Sequence, residues 1–131
     1  MNLTPFAQRL EDAGVGIQGQ SIFIDSMPAG VTTAVMLRNP LGGVPINNYL
    51  PGYFHARFQV IARAPSYDAG QALILQAMAA LRVPAETDLA TMKINYCRPL
   101  ALPVPYPLSS ANLIEWTTNF ELCFVDTGAL P

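Results

Sequence analysis

Charged side chains are scarce in this sequence: Asp, Glu, Lys and Arg together make up 12% of its 131 residues, about half the usual share for soluble proteins. So little charge leaves much of the surface apolar or weakly polar. That fits either a compact monomer with a large core or a protein partly covered by neighbouring subunits. Histidine occurs once, at His55, which removes most acid–base and metal-binding arrangements. The two cysteines, Cys97 and Cys123, lack the close Cys or His spacing that zinc requires. No metal and no cofactor is expected. Lysine also occurs once, at Lys93, against six arginines; arginine is favoured in protein interfaces, where lysine is depleted. The net charge of −2 gives no general attraction to phosphate backbones.

Long apolar runs are missing too. Charge or proline interrupts each stretch well before the ~20 residues that cross a bilayer, so no membrane partner is expected. Residues Met1–Gly14 carry Arg9, Glu11 and Asp12 where a signal peptide would need its apolar region. The cysteines could pair or simply pack; without secretion, packing is the expectation. The length suits one domain spanning residues 1–131, since smaller pieces would bury too little core.

Thr4 followed by Pro5 predicts an N-cap and first helical position, with Leu3, Phe6 and Leu10 as the apolar stripe of a short helix. Residues 20–25 and 31–38 read as a hairpin, turned by Met27, Pro28 and Gly30. Residues 39–52 hold three prolines and three glycines, which break helix and ladder alike, so a long loop is expected. Leu41, Val44, Ile46 and Leu50 sit on it, and apolar side chains on such a loop suggest burial in a complex. Residues 53–64 alternate: Phe54, Ala56, Phe58, Val60 and Ala62 on one face, His55, Arg57, Gln59 and Arg63 on the other.

Ser66 and Asp68 suit the start of a helix running to Arg82, with Gly70, Ile74, Ala77, Met78 and Leu81 on one stripe. Residues 89–98 alternate as a single strand that sets Met92, Ile94 and Tyr96 against Lys93, Asn95 and Cys97. Residues 98–110 contain four prolines, which exclude a central strand and predict a stiff extended arm. Residues 112–125 place Ile114, Trp116, Phe120, Leu122 and Phe124 opposite Glu115, Thr117, Asn119, Glu121 and Cys123. The expected fold is α+β: one mostly antiparallel sheet of about five strands, with two helices packed on one face. The other face gathers polar groups, and can be solvated, line a channel or meet another subunit.

Catalytic constellations are not legible. His55 lies mid-strand, and the nearest partners for a triad, Ser66 and Asp68, are explained by helix capping. Glu86 and Asp88 fit a turn better than a shared proton. Gly42 and Gly43 are followed by neither the Gly-Lys-Ser/Thr signature nor a helix, so no phosphate loop is expected. The Trp116, Phe120 and Phe124 series has strand periodicity and reads as core, not as a base-stacking platform. The expectation is a protein that is not an enzyme.

From Asn48 the chain runs through a proline-glycine turn at Pro51 and Gly52 into a strand carrying Phe58, Gln59, Val60 and Arg63, then into a helix opening at Tyr67 and carrying Gly70 and Leu81. This segment resembles the central part of small phage minor capsid (minor tail) or tail terminator proteins, and the order of elements from about Ser21 to Val125 is similar to theirs. The resemblance implies a virion protein of the phage tail: a ring, typically hexameric, that caps the tail tube, stops its polymerisation and offers a head–tail joining surface. Its partners would be copies of itself, the tail tube protein and a head-completion or neck protein, with DNA only passing through the lumen.

A ring contact is heterologous, so each subunit needs two different patches. Leu41, Ile46 and Leu50 on the loop, and Leu100, Leu102, Val104 and Tyr106 on the proline-rich arm, are the expected apolar plugs. Arg57, Lys93, Glu115 and Glu121 are expected to line the lumen or pair between subunits. A DNA conduit would call for a more uniform sign. Other head–tail connector or neck proteins are the nearest alternative. A small-molecule-binding domain or enzyme, with a pocket under the 39–52 loop, is the alternative from another class.

Overall fold

A computed structural model describes residues 1–108 and 112–129, without the side chains of residues 107 and 108. Its elements in chain order are α1 (Thr4–Asp12), β1 (Ile22–Ile24), β2 (Ala34–Arg38), β3 (Tyr53–Ala64), α2 (Tyr67–Leu81), β4 (Thr87–Leu89), β5 (Met92–Pro99), β6 (Val104–Leu108) and β7 (Leu113–Val125). The strands form one seven-stranded sheet in the order β1-β2-β3-β7-β5-β4, with β6 paired to β7 beside β5. The α+β class and the two helices on one face agree with the sequence reading. The sheet itself is larger than the expected five strands, and mixed.

The β3–β7 pair is the spine. It runs in unbroken antiparallel register from Tyr53↔Val125 to Ala64↔Ile114. Each strand alternates apolar and polar residues, so one face of the pair is apolar and binds the helices. Phe6 of α1 meets Phe58 at 5.3 Å between ring centroids, and Phe58 meets Phe120 at 5.5 Å. Leu10, Ile74, Ala77 and Leu81 complete the layer above them, all fully buried. Burying that many rings and branched chains supplies about 1.5–3 kcal/mol for each large side chain.

Helix α2 begins as the sequence predicts, with the Ser66 hydroxyl accepting from the Ala69 amide at 3.2 Å. Its seat on the sheet depends on Gly70, where an added Cβ would stand 2.5 Å from Trp116 Cδ1. The indole N–H of Trp116 donates to the Tyr67 carbonyl at 3.2 Å, and the two rings meet edge to face. In α1 the N-cap is Leu3 rather than Thr4, without a side-chain cap. The Thr4 amide instead donates to the Asn2 side chain at 3.0 Å.

Four further expectations are corrected. β1 and β2 are parallel, not a hairpin. Parallel neighbours usually need a connection of a dozen or more residues, but β1 is only three residues long, about 10 Å at the usual rise, so residues 25–33 suffice for the return. Arg63 Nη1 pins that connection through the carbonyls of Pro28 and Val31, at 3.1 and 3.2 Å. Second, the expected strand over 89–98 is a hairpin of β4 and β5, reversed at Ala90, whose φ is +55°. Third, the β5–β7 register shifts between Ile94 and Tyr96. That bulge turns Cys97 to the apolar face and Tyr96 away from it, opposite to the strict alternation expected. Fourth, part of the proline-rich arm is a strand, β6, paired with the first half of β7 from Val104↔Thr117 to Leu108↔Leu113. It lies at an edge, the position that tolerates proline.

Candidate functional site

The 39–52 loop contains no helix or strand. Tight turns shape it: the Gly43 amide donates to Pro40 O at 3.0 Å, and the Leu50 amide to Asn47 O at 3.1 Å. Gly43 has φ +76°, a left-handed conformation that glycine adopts without steric cost. These turns hold Leu41 outward at 92% exposure, with Ile46 and Leu50 each more than half exposed. Tyr49, which the sequence reading did not single out, is 95% exposed; only its place among four turn-forming neighbours could have signalled it. Val44 packs partly against the core instead. With Ile46 it walls a cavity of about 570 Å³ floored by Phe54, Met92 and Phe124.

The arm is anchored at its base. The Leu100 amide donates to Asn119 O at 2.9 Å, and the buried Thr118 hydroxyl donates to Ala101 O at 2.8 Å. Beyond this anchor Leu102 is 83% exposed, and Leu100, Val104 and Tyr106 also face solvent. All seven residues expected as plugs are therefore exposed. The loop issues from β2, on the flank of β3, whereas the arm lies along β7 on the flank turned away from β3. The loop also crosses the end of the spine, since Ile46 lines the cavity together with Ala90, Thr91 and Met92 beyond β7, so the two apolar groups are separate patches on different segments and are not confined to opposite flanks.

The open face of the sheet carries the polar groups. Arg57, Glu121 and Arg98 stand in one cross-strand row. Glu121 accepts from His55 Nε2 at 2.5 Å through one oxygen and from Arg98 Nε and Nη2, both at 2.9 Å, through the other. The His55 bond and then the Arg98 bonds hold the Glu121 carboxyl below its ordinary value. The Arg98 guanidinium also lies 4.4 Å from the Tyr96 ring centroid. Glu115 is paired with Arg63 at 3.1 Å, and Lys93 with Glu86 at 2.7 Å. Of the four charged residues expected on this face, three are thus already committed within the subunit. Arg57 makes no ion pair among the described residues. Arg63 stands on this face as its strand alternation predicts, whereas Arg38 and Arg98 were missed; the bulge concealed Arg98, and Arg38 was legible only as a strand end.

His55 and Cys123 are cross-strand neighbours, yet the thiol donates to the Tyr53 hydroxyl at 2.9 Å, and His55 is held by Glu121. Histidine and thiol share the face without a bond between them. Cys97 lies on the helix side, where burial pushes its thiol up to about 12. The two cysteines stand on opposite faces and both are free. Ser66 is occupied as the α2 cap and Asp68 is exposed in the first turn. No group of three metal-ligating side chains occurs among the described residues, and none of their helices is long and apolar enough to cross a membrane.

Comparison with known proteins adds the family. A family model described as "Bacteriophage tail terminator protein" matches residues 9–125. Among solved structures, a chain from one titled "Virion of native gene transfer agent (GTA) particle" is similar with a TM-score of 0.66 at 15% identity, covering 92% of this chain and 91% of that chain. At that identity the likeness is one of fold. A search of curated proteins returned no match.

Proposed function

The chain belongs to the bacteriophage tail terminator family, and from that premise we propose that this phage structural protein forms a ring that caps the tail tube and offers the head–tail joining surface. The whole of residues 1–131 acts as one domain in this reading. The observation that carries it is the presence of two exposed apolar groups on separate segments, around Leu41 on the 39–52 loop and around Leu102 on the arm beside β7. A closed ring is built from one surface of each subunit meeting a different surface of the next, so a front and a back patch are what it requires. A hexamer is the copy number the family resemblance implies. Partners are then further copies, the tail tube protein and a head-completion or neck protein, and DNA passes through the lumen without a dedicated site.

Leu41→Asp combined with Ile46→Asp tests the plugs. Both side chains are exposed, so the isolated subunit keeps its circular dichroism spectrum and melting temperature, while joined head–tail particles disappear from lysates viewed by electron microscopy. Normal numbers of joined particles with the double variant would refute the assignment. Labelled subunits found away from the tail tube end would favour another neck or connector role.

A second reading has one observation in its favour, the cavity of about 570 Å³ beneath the 39–52 loop, which is within the size range of small-molecule sites. It requires a monomer or dimer that binds a ligand there. Size-exclusion chromatography with light scattering separates it from the ring.

A further inference from the structure

We infer that neighbouring copies meet through a basic depression on one side of the open sheet face and the acidic β4 edge on the other, an inference that rests on the ring reading above. The depression holds about 210 Å³ and is bounded by Arg38, Leu41, Arg57, Gln59 and Asn119. Arg38 lies beside Gln59, and Gln59 beside Asn119, in one row; Arg57 lies beside Glu121 in the next. Both oxygens of Glu121 are taken by His55 and Arg98, so Glu121 leaves Arg57 uncompensated. Asp25, the acid nearest the end of β2, has both oxygens turned to Asn39, at 2.8 and 3.0 Å, and forms no ion pair with Arg38, although its charge still acts on Arg38. Arg38 and Arg57 are both exposed and neither has an ion-pair partner among the described residues.

The β4 edge of the sheet has the complementary imbalance. Strand β4 is the last in the order. Asp88 on it and Glu86 just before it share a single cation, Lys93, which bonds Glu86 at 2.7 Å and stands in register with Asp88. Lys93 therefore belongs to a net acidic edge and not to a basic lumen. Spare guanidiniums on the open face over β2 and β3, and a spare carboxylate on the β4 edge, give head-to-tail complementarity. They set register and exclude the reversed approach, in which like charges would meet. Leu41 on the rim of the depression places an apolar anchor next to the charges, the arrangement in which desolvated charge pairs contribute most. DNA is the weaker occupant, because a phosphate backbone calls for an extended basic track, and Glu115 and Glu121 interrupt this face.

The test uses the full chain in two double variants, Arg38→Glu with Arg57→Glu, and Glu86→Arg with Asp88→Arg, with Arg38→Gln and Arg57→Gln as a milder pair. Unchanged melting curves establish that each folds. Sedimentation velocity, with and without purified tail tubes, is expected to show each charge-reversal variant associating at least about tenfold more weakly than the unaltered chain, and a 1:1 mixture of the two recovering assembly. Rings that form equally well in both variants overturn the inference and leave the ring reading standing. An unaltered chain that stays monomeric even on tubes overturns both. Intact assembly with lost DNA delivery in the arginine variant assigns Arg38 and Arg57 to nucleic acid and also overturns the inference.

Discussion

Replacing Gly70 by alanine should destabilise the protein, although the substitution improves helix propensity. In the interior of α2 the exchange alone would contribute about 1 kcal/mol of stability. Against it stands the seat of the indole: the new methyl would lie 2.5 Å from Cδ1 and 2.9 Å from Nε1 of Trp116, and Trp116 is itself nearly fully buried between α2 and the sheet. Overpacking of this kind costs about 1–3 kcal/mol. The helix or the ring must then shift, which weakens the indole hydrogen bond to Tyr67 O at a further cost of about 1 kcal/mol. The balance is a net loss of about 1–3 kcal/mol, or a fall of several degrees in melting temperature for a chain of this length. Trp116 is the only tryptophan, so its fluorescence reports both the melt and the local displacement. Gly30→Ala, at a position with no atom within 4 Å of the added carbon, serves as the neutral control. If Gly70→Ala melts at or above the unaltered protein, the close approach of helix and indole does not constrain the fold.

Glu121 gives a pH prediction. Its carboxyl is held below the ordinary value by His55 first and Arg98 second. A depressed folded-state value means stability that is present in full above the ordinary carboxylate range and lost as pH falls from about 4.5 through the lowered value. Glu121→Gln should therefore flatten the acid limb of a stability–pH curve, and an unchanged limb would remove the pairing from consideration. Cys97 should resist iodoacetamide in the native protein at pH 8, because burial has pushed its thiol up to about 12 and alkylation needs the thiolate. Mass spectrometry should find it labelled only after unfolding; rapid native labelling would contradict the packing.

Local periodicity was enough to read β3, α2 and β7, because each lies along the apolar face and each obeys a single period. The alternation through Phe54, Phe58 and Phe120, and the helical stripe of Gly70, Ile74, Ala77 and Leu81, both appear as buried sets. Features set by tertiary context were not legible. The direction of β1 depends on where a short return fits, not on its three residues, and turn-rich chemistry at Pro28 and Gly30 serves a parallel connection as readily as a hairpin. The β5 bulge defeats alternation by moving Cys97 inward. The exposure of Leu41 and Leu102 followed from proline and glycine punctuation, whereas the pairing of Glu115 and Glu121 with Arg63, Arg98 and His55 required the cross-strand register.

A chain with so few charges needs another way to avoid joining sheet to sheet, and three of its edges supply one. The two ends of the sheet order, β1 and β4, are each three residues long, too short to template a long ladder. The first half of β3, Tyr53–Phe58, has no strand partner on its β2 side among the described residues, and the other edge is β6, where Pro105 stands opposite Trp116. Proline has no N–H to give, so its place in an antiparallel ladder is one whose backbone groups point away from β7. An incoming strand would find no donor there. At β1, β4 and β6, contacts between copies would fall to side chains, the exposed leucines and the arginine and carboxylate groups, and not to a continuous sheet. For a protein proposed to end a polymer, that restriction is the useful one. It suits a ring closed by specific plugs, with no continuous ladder at those three edges from which further subunits could grow.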